Sequence, residues 1–325
     1  NGGWMKKNPI PPHEASWGSF LMLRYDTEKK LHALVKHVQT MKRLKVGSPE
    51  QMVRDFYRSG LDLKQRNALG FLPLQLWLKR IEKIRDVPSL VLTLAYLGKI
   101  GGGGPWGLTV DQDMKDSETY TIYIHQSGLG MPDRDYYLKN DAESIRVRTA
   151  YEKHLEATFA LMDKTGAEAK EGRETVMRIE TAIAKISMPK EELRDVDKTY
   201  HKMSVSTLRR LTRSINWNAY FKSIGAGKPR AVIVMQPKFL KAISVMLAKE
   251  SLKDWKTYLA WHLVGGAASY LTTSFEKQNF AFYGTTLSGV KVMKPLWRRA
   301  LRAVNGNLGE VFGKLYVKAY FSPEA

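Results

Sequence analysis

The sequence predicts a mainly α protein of two helical lobes, with a minor β element near 110–125 and a second short apolar run at 231–234. Three observations carry this. Apolar residues recur at helical spacing through most of the chain, and strict two-residue alternation is concentrated in 119–125, Thr-Tyr-Thr-Ile-Tyr-Ile-His. A length of 325 residues, at roughly 150 per domain, leaves room for two cores.

Residues 1–14, with Pro9, Pro11 and Pro12, read as an irregular lead-in, and from Trp17 the positions Phe20, Leu23, Leu31, Leu34 and Val38 fit a helix ending near Lys45. Ser48-Pro49-Glu50-Gln51 then supplies a capping hydroxyl, a proline at the first helical position and a glutamine at the third, which starts a new helix through Val53, Phe56 and Tyr57. Leu74, Trp77, Leu78 and Ile81 form the next apolar face. Asp86-Val87-Pro88 interrupts it, and Leu90, Val91, Leu94 and Leu97 continue as a helix stopping at Gly98. The glycines 101–104 before Pro105 form a loop, without the Lys-Ser/Thr of a phosphate-binding loop. Residues 110–113 and 119–125 read as two short strands around a polar turn. Asp111, Asp113 and Asp116 there lack the glycine and glutamate spacing of a calcium loop and read as turn acids.

The stretch 126–138, Gln-Ser-Gly-Leu-Gly-Met-Pro-Asp-Arg-Asp-Tyr-Tyr-Leu, holds two glycines and a proline, so it is an ordered turn redirecting the chain from strand to helix. Gln126, Gly128, Pro132, Arg134, Asp135 and Tyr137 are its structural residues, with Arg134, Asp135 and Tyr137 expected to fix it by hydrogen bonds. Asp141 caps a helix carrying Val147, Tyr151, Leu155, Phe159 and Met162 inward; Gly166 separates it from a second with a seam of Val176, Ile179, Ile183 and Ile186. The polar stretch 188–200 reads as a crossing between lobes. Ser204 begins another helix, 216–227 reads as a loop anchored by Trp217 and Tyr220, Pro237 opens a helix, and Ser251 with Asp254 caps a long one. A single last helix runs from Pro295 through Trp297, Leu301, Val304, Leu308, Phe312 and Leu315.

The formal charge is +20, which invites an anionic partner. Lys and Arg are scattered and mostly interrupted by acids or apolar residues; the densest groups are Lys42-Arg43-Lys45, Arg209-Arg210-Arg213 and Arg298-Arg299-Arg302. No nucleic-acid recognition pattern accompanies them, so solvated helix faces and no nucleic-acid partner are expected. No run reaches the roughly 20 apolar residues that span a bilayer, the best being 87–97. The chain opens Asn1-Gly2-Gly3-Trp4 without an initiator methionine, so the true N-terminus is expected to lie upstream.

Cysteine is absent, which removes disulfides, thiolate zinc sites and cysteine nucleophiles, and no Gly-x-Ser-x-Gly elbow occurs. His32 and His37 do not share a helix face. His13-Glu14 begins like a zinc helix motif, but Trp17 stands where a second histidine is needed. His262 reads as a satisfied core histidine, and Glu250 with Asp254 as helix-start charge. No catalytic or metal-ligating residue emerges.

Several stretches, in order, resemble the neprilysin-like zinc metallopeptidases, the family of neprilysin, endothelin-converting enzyme and bacterial oligopeptidases. They are Asn1-Gly2-Gly3-Trp4 with Asn8-Pro9-Ile10-Pro11, Trp17-Gly18-Ser19-Phe20, residues 55–62, residues 126–137, Phe282-Tyr283-Gly284, Trp297-Arg298-Arg299 with Val304-Asn305, and residues 308–321. The resemblance implies two helical lobes around a peptide cavity: 1–185 as the N-terminal segment of the catalytic lobe, and 186–325 as a second lobe capping the cavity. It implies a zinc-dependent metalloendopeptidase of short peptides in an extracytoplasmic setting. It also implies that the His-Glu-x-x-His helix and the other zinc ligands lie in a C-terminal part beyond Ala325, so this chain alone is expected to bind no zinc and to be inactive. Arg24 falls where the family places an arginine that meets a substrate carboxylate, whereas Ser16 stands in place of a neighbouring one. A non-catalytic peptide-binding or scaffolding homologue is the alternative.

Overall fold

The computed structural model describes residues 2–321. It is mainly helical with one small sheet, and the chain separates into two compact units, Asn1–Leu69 with Phe280–Ala325, and Gly70–Asn279.

In the first unit the helix Pro49–Leu61 is central. Its start is set as the sequence requires, with Ser48 Oγ accepting from Gln51 N at 3.2 Å and Pro49 at the first turn. The Gln51 side chain reaches back one residue further than a capping box, to the amide of Gly47 at 3.0 Å. Val53 and Tyr57 on this helix pack with Leu34, Val35 and Val38 of Ser19–Thr40 and with Leu301, Val304, Phe312 and Leu315 from the returning chain. The return begins with a π-helical turn, Phe280–Thr286, where a Cβ on Gly284 would lie 2.4 Å from the Phe280 ring. The helix expected from Pro295 is two, Leu296–Asn307 and Gly309–Tyr320, broken at Leu308, although both halves keep the predicted inward residues. The Ser19–Thr40 helix forms, but Phe20 is 88% and Leu23 64% exposed, so its first turns leave apolar surface uncovered.

The second unit surrounds a four-stranded sheet. Strands β1 (Trp106–Asp113) and β2 (Asp116–Gln126) form an antiparallel hairpin; β3 (Lys202–Ser204) pairs antiparallel with β4 (Ala231–Val234), and β4 joins parallel to β2, giving the order β1-β2-β4-β3. Ile122, Tyr123 and Ile124 are buried in succession, as expected of an inner strand covered on both faces. The hairpin starts four residues earlier than alternation indicates because Trp106 and Leu108 pair opposite Gln126 and Ile124. Against the sheet lie Val87–Lys99, Gly166–Ile186, Trp217–Ile224, Pro237–Lys249 and Leu252–Ala267, whose Trp217, Phe239, Trp255 and Tyr258 fill the core.

One expectation changes here. The stretch 216–227 is not a loop: Asn216 Oδ1 accepts from Ala219 N at 3.1 Å, the helix Trp217–Ile224 follows, and Gly225 at φ 85° ends it. The seam helix Gly166–Ile186 and the segment after it both pack within the second unit.

Candidate functional site

The turn at 126–138 is held from several sides, all within the second unit. The Gln126 side chain clamps Met188 in both directions, donating to its carbonyl at 3.0 Å and accepting from its amide at 2.7 Å, while the Gln126 amide donates to Gln236 Oε1 at 2.8 Å. Gly128 adopts φ 96°, and its carbonyl accepts from Tyr258 Oη at 2.9 Å; a Cβ there would lie 2.5 Å from that hydroxyl and 2.8 Å from Pro105 Cα. Both left-handed backbone and close approach therefore require glycine. Arg134 Nη1 donates to the Ser187 carbonyl. Asp135 pairs with Lys139 at 2.6 Å, Asp133 pairs with Lys190 at 3.4 Å, and Pro132 is exposed. The stretch 188–200, expected as a crossing, is thus tied to this turn through Met188 and Lys190.

Tyr137 leads inward to a group that sequence reasoning missed. Its hydroxyl accepts from the Met131 amide at 2.9 Å and donates to Glu180 Oε2 at 2.6 Å. Glu180 has no exposed surface; it also accepts from Tyr151 Oη at 3.0 Å and lies 2.9 Å from His262 Nε2. Burying a carboxylate is costly unless its lone pairs are met, and here two tyrosine hydroxyls meet them, with the His262 ring alongside. Glu180 and burial both push the Tyr258 hydroxyl upward, burial being the larger cause. The signal in the sequence was an acid four residues after Val176, on the inward seam. A carboxylate this enclosed is a structural anchor for the turn. Nearby, burial lowers His154 to about 4, against a smaller upward effect of its hydrogen bond with Gln278.

The first unit carries a different constellation. Arg24 lies on Ser19–Thr40, exposed, with Nε 3.3 Å from Glu28 Oε1; neither terminal guanidinium nitrogen has a partner among the described residues. Glu28 is also held by Arg298, a buried arginine whose guanidinium stacks 3.7 Å from the Tyr25 ring. Tyr25 Oη donates to Glu14 at 2.8 Å and Lys294 pairs with the same carboxylate. Burial works to raise Glu14, but its hydrogen bonds from Lys294 and Tyr25 and the charges of Lys294 and Arg298 outweigh it and hold the carboxyl below its ordinary range. His13, adjacent to Glu14, stacks against Tyr25, and His32 stacks on Trp297 at 4.0 Å. The result is a line of alternating charge with Arg24 at its open end.

Among the described residues no group of three or more His, Asp or Glu is placed to hold a metal ion, so these side chains do not fit a zinc site. The hairpin acids have other roles. Asp113 is buried, bonded by Lys202 at 2.8 Å, by the Lys115 amide at 3.0 Å and by Tyr200 at 2.8 Å, which lowers it to about 2. Glu250 and Asp254, expected as helix-start charge, both grip Arg178. Gly101, Gly103 and Gly104 line a cavity of about 550 Å³ with Trp106, His125 and Tyr220.

The profile of the N-terminal region of peptidase family M13 matches residues 1–325. The chain belongs to peptidase family M13. Within that family it is 27% identical to endothelin-converting enzyme 1 of Homo sapiens, over all of this chain and 43% of that enzyme. An endothelin-converting enzyme homolog of Locusta migratoria is 27% identical over 98% of this chain and 46% of its own length. Among solved structures, the Mycobacterium tuberculosis zinc metalloprotease Zmp1 in complex with inhibitor superposes at a TM-score of 0.93, with 29% identity, over 99% of this chain and 49% of that one. PepO from Lactobacillus rhamnosis, at 20% identity and a TM-score of 0.81, shares the fold. The chain spans about half the length of the relatives it matches.

Proposed function

We propose that these 325 residues are the N-terminal part of a zinc-dependent metalloendopeptidase that cleaves short peptides, with the metal held by residues outside this chain. The observation that carries the reading is the end-to-end family match, joined to a fold shared at a TM-score of 0.93 with a structure named as a zinc metalloprotease. An extracytoplasmic setting for the whole protein is part of this proposal.

In this reading the first unit belongs to the catalytic lobe, and Arg24 meets the carboxylate of a peptide substrate. Its two unpartnered terminal nitrogens offer the fork that a carboxylate accepts in bidentate fashion. Exposed Phe20 and Leu23 on the same helix offer apolar surface for the rest of the lobe. The test is cleavage of a quenched fluorescent peptide library by the protein expressed from its complete reading frame, with and without a zinc chelator, beside the 325-residue chain. Chelator-sensitive cleavage by the former and none by the latter is expected. Peptide binding without cleavage by the intact protein would replace the enzyme by a peptide-binding homologue, and zinc-dependent cleavage by the 325 residues alone would overturn the assignment of the metal.

A further inference from the structure

The charge of +20 is not evenly spread. Between Asp197 and Glu250 the sequence holds no Asp or Glu but eleven Lys and Arg: Lys198, Lys202, Arg209, Arg210, Arg213, Lys222, Lys228, Arg230, Lys238, Lys241 and Lys249. Lys198 pairs with Asp195 and Lys202 with Asp113; none of the other nine has an acidic partner among the described residues. Three of the nine converge. Arg209, Arg210 and Arg213, all exposed, line one groove of about 670 Å³ together with Ser206, Ser214 and Asn216.

The groove's donors are largely uncommitted. Arg210 gives one nitrogen to Thr207 Oγ1 at 2.9 Å, and Arg209 and Arg213 give none to any described residue. Asn216 spends its side-chain oxygen on the Ala219 amide, which leaves its NH₂ to donate outward. The Ser214 amide is taken by Ser244 Oγ, and the Ser214 hydroxyl is left. Guanidiniums, a hydroxyl and an amide NH₂, with no acid among the lining residues, form a surface that selects a multiply charged oxyanion.

From this we infer that the groove binds a small soluble anion carrying two or more linked phosphate groups. Charge sets the count, because one phosphate carries roughly −1.5 to −2 at pH 7, short of three guanidiniums, and two linked phosphates match them. The site is independent of the peptidase reading.

Isothermal titration of the 325-residue chain with pyrophosphate at low salt tests it. Saturable binding is expected, with Arg209→Ala and Arg213→Ala each weakening it by about tenfold or more, as loss of a charge-assisted bond does. Lys238→Ala, an exposed cation of the same acid-free stretch that lines a different cavity, changes it less than twofold. Pyrophosphate should also raise the melting temperature of the parent chain and not that of either arginine variant. Absence of saturable heat, or an equal loss in Lys238→Ala, would reduce the groove to diffuse net charge and overturn the inference. So would displacement of pyrophosphate by a duplex oligonucleotide or by anionic phospholipid vesicles at lower phosphate concentration, since either would assign the surface to a macromolecule.

Discussion

The two units each hold a glutamate at the centre of a polar network, and the two are built on opposite principles. Glu180 is sealed from solvent and satisfied by two tyrosine hydroxyls, whereas Glu28 is half-buried between two arginines, one of them exposed. In the enclosed case every partner is fixed by packing, so the network specifies a structure. In the open case a guanidinium keeps unspent donors, so the network can engage something else. Burial therefore separates the anchor from the site more reliably than the residue types do, since a glutamate is central to both.

The sharpest way to break this contrast is to remove the enclosed carboxylate. Glu180→Leu leaves two buried tyrosine hydroxyls without their acceptor and should cost about 3–5 kcal/mol, read from urea unfolding of the 325-residue chain. A loss below about 1 kcal/mol would mean that the network is not the anchor described. Next in size is a pH effect in the same unit. Folded His154 takes its proton only near 4, against 6.5 for an ordinary histidine, so between those values the unfolded chain binds the extra proton. Stability is complete above about 6.5 and falls as pH drops toward 4; His154→Gln should flatten the slope of melting temperature in that window, and an unchanged slope would assign it to another group. The smallest effect belongs to the open network. Arg24→Ala removes one exposed ion pair and should change stability by less than about 1 kcal/mol, while in the intact protein it raises KM for peptides with a free C-terminal carboxylate more than for amidated ones. Equal changes in both peptides would remove Arg24 from carboxylate recognition.

Much of the fold was legible because helix starts are local events. Ser48, Asp141, Ser204 and Ser251 each accept from an amide three residues on, in agreement with the short patterns that announce them, and Asp86, read from sequence only as an interruption, caps the next helix in the same way. The helix after Asn216 had the same capping residue and a terminal glycine, but its eight residues offered too few turns for periodicity to register. The sheet was only half visible. Its hairpin alternates locally, whereas the parallel join of Tyr123 to Ile233 links residues more than a hundred positions apart, and nothing in either segment encodes its partner. The same holds at the sites. Gly128 and Tyr137 stand out in a turn too specific to be generic, but Glu180 was hidden in an apolar seam, and its role depends on Tyr137, Tyr151 and His262 arriving from three other places. Arg24 was singled out only through family resemblance; its exposure and unspent nitrogens are properties of the folded surface.

The first unit is assembled from two separate stretches of sequence, Asn1–Leu69 and Phe280–Ala325, with the continuous segment Gly70–Asn279 lying between them in the sequence. During synthesis its opening helices leave the ribosome about 240 residues or more before Leu301, Val304 and Phe312 exist to cover Val35, Val53 and Tyr57. At 5–20 residues per second that is a wait on the order of ten seconds or more with apolar faces bare, while the intervening segment already has every strand and helix it needs. The order of birth thus runs opposite to the order of completion, and the helices of Asn1–Leu69 wait longest for their partners.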